Sequence, residues 1–298
     1  MSGWLVTGAR GMLGRDLVAC LEREGEDAAA YGRGELDITD AAAVREILRR
    51  RRPGVVANCA AWTAVDDAET HEDAALRVNG HAVAGLAAAC ADQGSTLVQV
   101  STDYVFDGAA RQPYAETDPP APRTAYGRSK LAGERAVLDL VAAGGLAGYV
   151  VRTAWLYGAH GPNFVRTMIR LERDSPTVDV VDDQRGQPSW TADVARQVIA
   201  LVRSGAASGV YHATSSGCTT WFGLAREVFT LLGADPARVR PTTTSAYPRP
   251  APRPPYSVLG HDGWIKAGLD PIGDWRDSLR RAFPELLAAF AADQPGGW

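Results

Sequence analysis

The chain is predicted to be an α/β protein, a doubly wound parallel sheet carrying a smaller mixed lobe towards its C-terminal end. Three observations predict this. A short apolar strand, Trp4–Thr7, runs straight into a glycine-rich turn, after which Leu13, Leu17, Val18 and Leu21 recur at helical spacing. The apolar run at 55–61 reads as a strand covered on both faces, as in parallel sheets, and 96–100 and 148–152 read as further core strands. From Thr214 the pattern changes to Trp221, Leu224, Val228 and Leu231 at helical spacing, followed by a proline-rich stretch from Pro241 to Pro255. A length of 298 residues accommodates a core domain with a lobe attached.

Composition narrows the function classes. Hydrophobic residues at 46% and charged residues at 22% are ordinary for a globular protein. A formal charge of −4 argues against nucleic acid or an anionic membrane as partner, since either needs a basic footprint. The run Arg49 to Arg52 reads as the solvated end of an amphipathic helix, where cations complement the dipole. Cys20, Cys59, Cys90 and Cys218 form no CxxC pair, which predicts reduced thiols and a cytoplasmic protein. The histidines show no metal-ligand spacing, so no metal site is predicted. Neither a signal peptide nor a membrane-length apolar run is read in the chain.

The turn Gly8-Ala9-Arg10-Gly11-Met12-Leu13-Gly14 stands between a strand and a helix. That is the context in which glycines let a backbone approach a pyrophosphate and a helix N-terminus offers free N–H groups. Gly8, Arg10, Gly11, Met12 and Leu13 are therefore cofactor-contacting candidates in a Rossmann-type domain. The second strand, Ala28–Tyr31, ends in Gly32-Arg33 instead of an acidic residue. An arginine suits a 2′-phosphate, which favours NADPH, with NADH as the alternative. Asp37 and Ile38 are placed beside the adenine, and Asp40 reads as a helix N-cap.

The third strand ends in small residues, Cys59-Ala60-Ala61, that leave room for a cofactor to cross the sheet edge; the loop Trp62 to Asp66 follows, offering Thr63 to the cofactor and Val65 to a substrate. Asn79, in the next helix, either bonds the backbone of the fold or supports the cofactor. The fourth strand delivers Ser101-Thr102-Asp103-Tyr104 to the same edge, and Tyr126 and Lys130 arrive from the following helix one turn apart. A cation ~4 Å from a phenol at an effective dielectric of ~20 contributes roughly 4 kcal/mol, enough to bring a tyrosine towards working pH. Lys130 is thus expected to lower the pKa of Tyr126, and a strand-end hydroxyl, that of Ser101 or Thr102, completes a predicted catalytic set with Tyr126 and Lys130.

These residues carry a resemblance. The GxxGxxG turn, the run Ser101 to Gly108, the run Tyr126 to Glu134, and later Val151 to Gly158, Asn163 to Val165, Asp183 to Pro188, Thr219 to Trp221 and Tyr247 to Ser257 are similar to the dTDP-4-dehydrorhamnose reductase family of the extended short-chain dehydrogenase/reductase superfamily. The resemblance covers nearly the whole chain. It implies that NADPH gives hydride to the C4 ketone of a dTDP-4-keto-6-deoxy sugar, that Tyr126 donates the proton, that Thr102 hydrogen-bonds the carbonyl oxygen, and that Lys130 holds the nicotinamide ribose. Related 4,6-dehydratases place a glutamate after the aspartate that stands here as Asp103; Tyr104 takes that place and argues against a dehydratase. Asp103 and Tyr104 are candidate substrate contacts. Some relatives form homodimers through carboxylates and magnesium, whose ligands no motif places in this chain.

In the second half, Trp155 packs either on the substrate or in the core. Arg185 and Gln187, at a strand end, face substrate or solvent, and Arg253 in the proline-rich stretch is a candidate for the diphosphate. The predicted division is a dinucleotide-binding domain over 1–150, with later strands from about 176–213 added to it, and a substrate lobe over 151–175 and 214–298. Residues 294–298 are expected to fray. The alternatives are a secondary-pathway reductase, for streptose-like or other 6-deoxy sugars, an epimerase retaining its NAD, and a regulatory binding subunit on the same fold.

Overall fold

The protein is described by a computed structural model over residues 3–293, so the expected fraying of 294–298 lies outside the described residues. Five strands and the helices between them form the first half. They are β1 (Trp4–Thr7), α1 (Met12–Arg23), β2 (Ala28–Tyr31), α2 (Ala41–Arg51), β3 (Val55–Asn58), the short α3 (Val65–Ala68) and α4 (Glu72–Leu76), α5 (Ala82–Gln93), β4 (Thr96–Thr102), α6 (Ala125–Ala142) and β5 (Gly148–Thr153). All five strands are parallel and a sixth, Gly209–His212, pairs with β5, giving the order 2-1-3-4-5 followed by that strand. The order reverses at β1, and a doubly wound sheet binds its ligands outside the carboxyl ends of the strands at such a switch point.

Alternation along each strand divides the sheet between two cores. Leu5, Val56, Leu97 and Val150 point to the layer of α2 and α5, while Val6, Ala57, Val98 and Val151 point to α1 and the helix Thr191–Ser204. Each larger side chain removed from water in this way contributes roughly 1.5–3 kcal/mol. A polar rung runs across the strands near their carboxyl ends. Thr7 Oγ1 donates to Asn58 Oδ1 at 2.5 Å, and Asn58 Nδ2 donates to Gln99 Oε1 at 2.7 Å. Both bonds are buried, so they fix the register of the strand ends that carry the site.

A third core belongs to the C-terminal lobe, where the helices Phe164–Asp174, Trp221–Leu231 and Trp275–Ala292 pack around Trp275, Phe229 and Leu286. Here the structure differs from expectation. Val178–Val181 does not extend the large sheet but pairs in parallel with Val239–Thr242, so of the strands expected from 176–213 only Gly209–His212 joins it. Val178 and Val180 face the lobe core and Asp179 faces out, a pattern served by burial on one face only.

Candidate active site

The carboxyl ends of β1, β3, β4 and β5 open into a cavity of about 1150 Å³ that reaches from the glycine turn to the C-terminal lobe. At its first end the turn is shaped by two glycines. Gly8 adopts φ +63°, and a Cβ there would lie 2.5 Å from the Ala60 amide; at Gly14 it would lie 2.3 Å from the Gly8 carbonyl. Gly11 caps α1 without a side-chain hydrogen bond, leaving the first-turn N–H groups free for an anion. This cradle fits the diphosphate of a dinucleotide.

Gly8, Arg10, Gly11, Met12, Leu13, Arg33, Asp37, Ile38, Ala60, Ala61 and Thr63 all line the cavity. Arg10 is engaged by Glu35 at 2.7 Å, and the same carboxylate accepts the Gly32 amide at 2.6 Å. Arg33 is exposed beside the rim, where its charge bears on Asp37. Asn79 does not line the cavity. It is buried, accepts the Trp62 amide, and donates to the Trp62 carbonyl and to Ser129 Oγ, so it pins the loop after β3 to α6 and acts as part of the fold.

The chemical groups meet at the inner wall. Strand β4 delivers Thr102 and Asp103, while Thr124, whose hydroxyl accepts the Gly127 amide, starts α6 so that Tyr126 and Lys130 face the same space. Lys130 Nζ donates to the Val100 carbonyl at 2.6 Å, and burial lowers its pKa to about 8 against the opposing pull of Glu134 and Cys59. The Tyr126 ring meets the Tyr104 ring edge-on at 5.6 Å.

The expected lowering of the phenol by Lys130 is not found. Burial pushes Tyr126 up to about 12, the Thr102 hydroxyl pulls the other way, and the charge that acts on the phenol is that of Asp103, which raises it further. The lysine charge is spent on the strand carbonyl instead, and desolvation of the phenolate dominates.

Towards the lobe, Val65, Asp103, Tyr104, Trp155 and Arg253 line the cavity. Trp155 holds a left-handed backbone, φ 47°, and stacks on Trp221 with ring centroids 3.6 Å apart. For a bulky residue that conformation costs roughly 1–2 kcal/mol, offset here by the stacking of the two half-buried indoles, of which Trp221 also packs on Phe164. Arg253 pairs with Asp66 at 2.8 Å.

Two expected substrate contacts are absent from the cavity. Gln187 is buried: its amide donates to the Leu259 carbonyl, and its oxygen accepts the Leu259 amide and the Thr214 hydroxyl. Arg185 is exposed on a strand that pairs with Thr219–Thr220, away from the lining. Conversely, Asp66, Gln184 and Trp221 line the site although their sequence positions do not mark them as contacts. Trp221 sits at a helical spacing that reads as core, and only its place directly after Thr219-Thr220 hinted otherwise.

Outside the cavity, Asp16, His160 and Glu285 each present a ligand atom within 4.8 Å of the others, a grouping no sequence spacing announces. Asp16 is buried there, its carboxyl raised by burial and tied to the Thr191 hydroxyl.

Comparison with known proteins bears on the same architecture. A dTDP-4-dehydrorhamnose reductase of Streptomyces griseus is 56% identical over 98% of this chain and 97% of its own length. A dTDP-4-keto-6-deoxy-D-glucose reductase of Streptomyces niveus is 57% identical over 96% of this chain and 98% of its own. Among solved structures, a dTDP-4-dehydrorhamnose reductase of Bacillus anthracis in complex with NADP superposes with a TM-score of 0.91 at 36% identity, over 95% of this chain and 99% of that one. The family model described as RmlD substrate binding domain matches residues 2–288, so the glycine cradle, the Tyr126 wall and all of the lobe but the end of its last helix fall within it, and the chain belongs to that family.

Proposed function

We propose that this protein reduces the C4 ketone of a dTDP-4-keto-6-deoxyhexose, dTDP-4-dehydrorhamnose in the first place, using NADPH. The observation that carries the reading is the meeting of Thr102, Tyr126 and Lys130 at one wall of a cavity whose far end is a diphosphate cradle. The two Streptomyces reductases, matched over nearly their whole length, support the substrate class, and the NADP complex supports the coenzyme.

When bound, NADPH supplies the hydride; the protein supplies everything at the ketone oxygen. Tyr126, its pKa raised to about 12, holds its proton in the free protein and releases it to that oxygen as negative charge develops there. Thr102 adds a hydrogen bond at the same atom. Lys130, anchored on the Val100 carbonyl, presents an ammonium to the ribose end of the coenzyme. Arg33 is the cation left for a 2′-phosphate once Glu35 has taken Arg10. On the substrate side, the Trp155–Trp221 stack offers an apolar wall to the deoxysugar and its base, and Arg253 offers a guanidinium to the diphosphate. In this reading residues 1–150 with the strand Gly209–His212 hold the coenzyme, and the lobe holds the sugar nucleotide. The four free cysteines support the cytoplasm as its compartment. No helix among the described residues is long and apolar enough to cross a membrane.

The near-equal identity to a dTDP-4-keto-6-deoxy-D-glucose reductase favours one second reading, the same chemistry on the D-configured sugar. The test is NADPH oxidation by the purified protein with both ketosugars and with NADH in place of NADPH. Turnover of the L-configured sugar at the higher kcat/KM supports the first reading, and preference for the D-sugar supports the second. Absence of oxidation with either, together with intact dTDP binding, points to a binding role.

A further inference from the structure

Thr102 has one hydroxyl proton and two claims on it. In this structure its Oγ1 donates to Asp103 Oδ1 at 3.0 Å while accepting the Tyr104 amide at 3.2 Å. A hydroxyl offers one donor and two acceptor positions. As long as Asp103 is a carboxylate, an acceptor only, the Thr102 proton is taken, and the position that remains towards the cavity is a lone pair. A lone pair facing a ketone oxygen repels it. Stabilising that oxygen requires the proton to turn around.

The surroundings of Asp103 allow this. Its side chain is 3% exposed, and its Oδ2 is buried without a hydrogen-bond partner. The groups that pull the carboxyl down are the Ser257 and Thr102 hydroxyls and backbone N–H groups, none of them a cation; the Ser257 hydroxyl lies close but forms no hydrogen bond of full geometry with Oδ2. Of the cations that line the cavity, Arg253 is held by Asp66 and Lys130 by the Val100 carbonyl, and none acts on the Asp103 carboxyl. The remaining titratable neighbours, the Tyr104 and Tyr126 phenols, are neutral groups on which the Asp103 charge is itself unfavourable. Burial raises the carboxyl to about 6, and exclusion of water by a bound substrate acts in the same direction.

We propose that Asp103 is a positioning residue acting through Thr102: as the neutral acid it donates to Thr102 Oγ1 and turns the threonine proton onto the ketone oxygen beside Tyr126, and as the carboxylate it holds that proton away. The neutral acid and the Tyr104 amide then fill both acceptor positions of the hydroxyl, leaving its proton for the substrate. The proposal rests on the reading that Thr102 and Tyr126 face the ketone.

The experiment is the pH profile of kcat for the full-length enzyme, with saturating NADPH and dTDP-4-dehydrorhamnose, in wild type, Asp103→Asn and Asp103→Leu. Asparagine keeps the shape and carries an N–H that can donate to Thr102 at every pH, whereas leucine carries no donor. In the wild type kcat is expected to fall about tenfold per pH unit above the carboxyl pKa of the ternary complex. Asp103→Asn should stay within about threefold of the wild-type acid plateau and lose that limb, while Asp103→Leu, which removes the holding acceptor as well as the donor, should also lose the limb, at a kcat below that of Asp103→Asn. An Asp103→Asn enzyme more than about tenfold below the plateau at all pH, or a limb that stays unmoved in either variant, overturns the proposal. Failure of the underlying site reading shows separately, as turnover that survives Tyr126→Phe.

Discussion

Arg253 donates to Asp66 Oδ2 at 2.8 Å, and the other oxygen of the same carboxylate accepts the Ala251 amide at 3.2 Å. One side chain on α3 thereby ties the proline-rich strap to the rim of the coenzyme half. Both partners line the cavity, so an incoming diphosphate competes with Asp66 for the guanidinium. Charge-assisted hydrogen bonds contribute about 1.5–3 kcal/mol, and on that scale Arg253→Ala should weaken dTDP binding by about 10- to 100-fold. Asp66→Asn keeps an acceptor for Ala251 but removes the competing charge, and should tighten dTDP by a few-fold. Calorimetric titration with dTDP alone reads both, and an unchanged affinity in Arg253→Ala would show that the diphosphate lies elsewhere.

At the catalytic wall the ionisable groups set the direction of the pH response. Lys130 is lowered to about 8, chiefly by burial, so it loses its proton above that pH and not above the usual lysine range. Activity that depends on the ammonium should fall as pH rises through about 8, and Lys130→Met should be low and flat there. Tyr126→Phe should lower kcat by about 10²- to 10⁴-fold while NADPH affinity, read by fluorescence titration, stays within a few-fold. A Tyr126→Phe enzyme at wild-type rate would remove the phenol from the mechanism.

Much of this was legible in the sequence because it is local. The strand–glycine turn–helix at residues 4–21 and the i, i+4 pair Tyr126 and Lys130 are each confined to one or two elements, and both stand where the pattern put them. What escaped depends on which distant segments meet. Nothing in Val178–Val181 says that its partner is Val239–Thr242 and not the large sheet. Gln187 reads as a polar group at a strand end until Thr214 and Leu259 are found around its amide. The acidity of Tyr126 escapes the sequence for the same reason. Spacing brings a lysine near, but only the packed structure shows the ammonium on the Val100 carbonyl and the phenol desolvated.

The Gln187 result separates stability from binding. Its amide makes three buried hydrogen bonds, at 3.1 Å to the Leu259 carbonyl, 2.8 Å from the Leu259 amide and 2.9 Å from Thr214. Removing it leaves those groups unsatisfied at about 1–3 kcal/mol each, so Gln187→Ala should destabilise the fold by about 3–5 kcal/mol in urea unfolding, with KM for the sugar nucleotide within about twofold of wild type. Arg185→Ala, by contrast, should leave both within error, because only its backbone is engaged, with Pro255 and Ser257. A large KM effect in either variant would return that residue to the substrate site.

His212 sets the acid limit of the fold. The ring is fully buried on the sixth strand, with Nδ1 at 3.0 Å from the Gly260 carbonyl and Nε2 at 3.4 Å from the Arg152 guanidinium. The carbonyl can only accept and the guanidinium can only donate, so the neutral ring carries its proton on Nδ1, and a second proton would have to enter at Nε2 against Arg152. Burial first, and then that cation, press the pKa down to about 3. In the unfolded chain the same ring titrates near 6.5. Between these values the unfolded state binds a proton that the native state refuses, so stability is present above about pH 6.5 and is lost progressively as pH falls towards 3. From pH 7 to pH 5 the loss from this one ring amounts to about 2 kcal/mol. Urea unfolding at the two pH values should show that loss in the wild type and a loss smaller by about the same amount in His212→Gln, whatever the absolute stability of the variant. Parallel pH dependences in the two proteins would mean that the ring takes up its proton in the native state, with the Arg152 charge neutralised by Glu134, to which it donates at 2.9 and 2.7 Å.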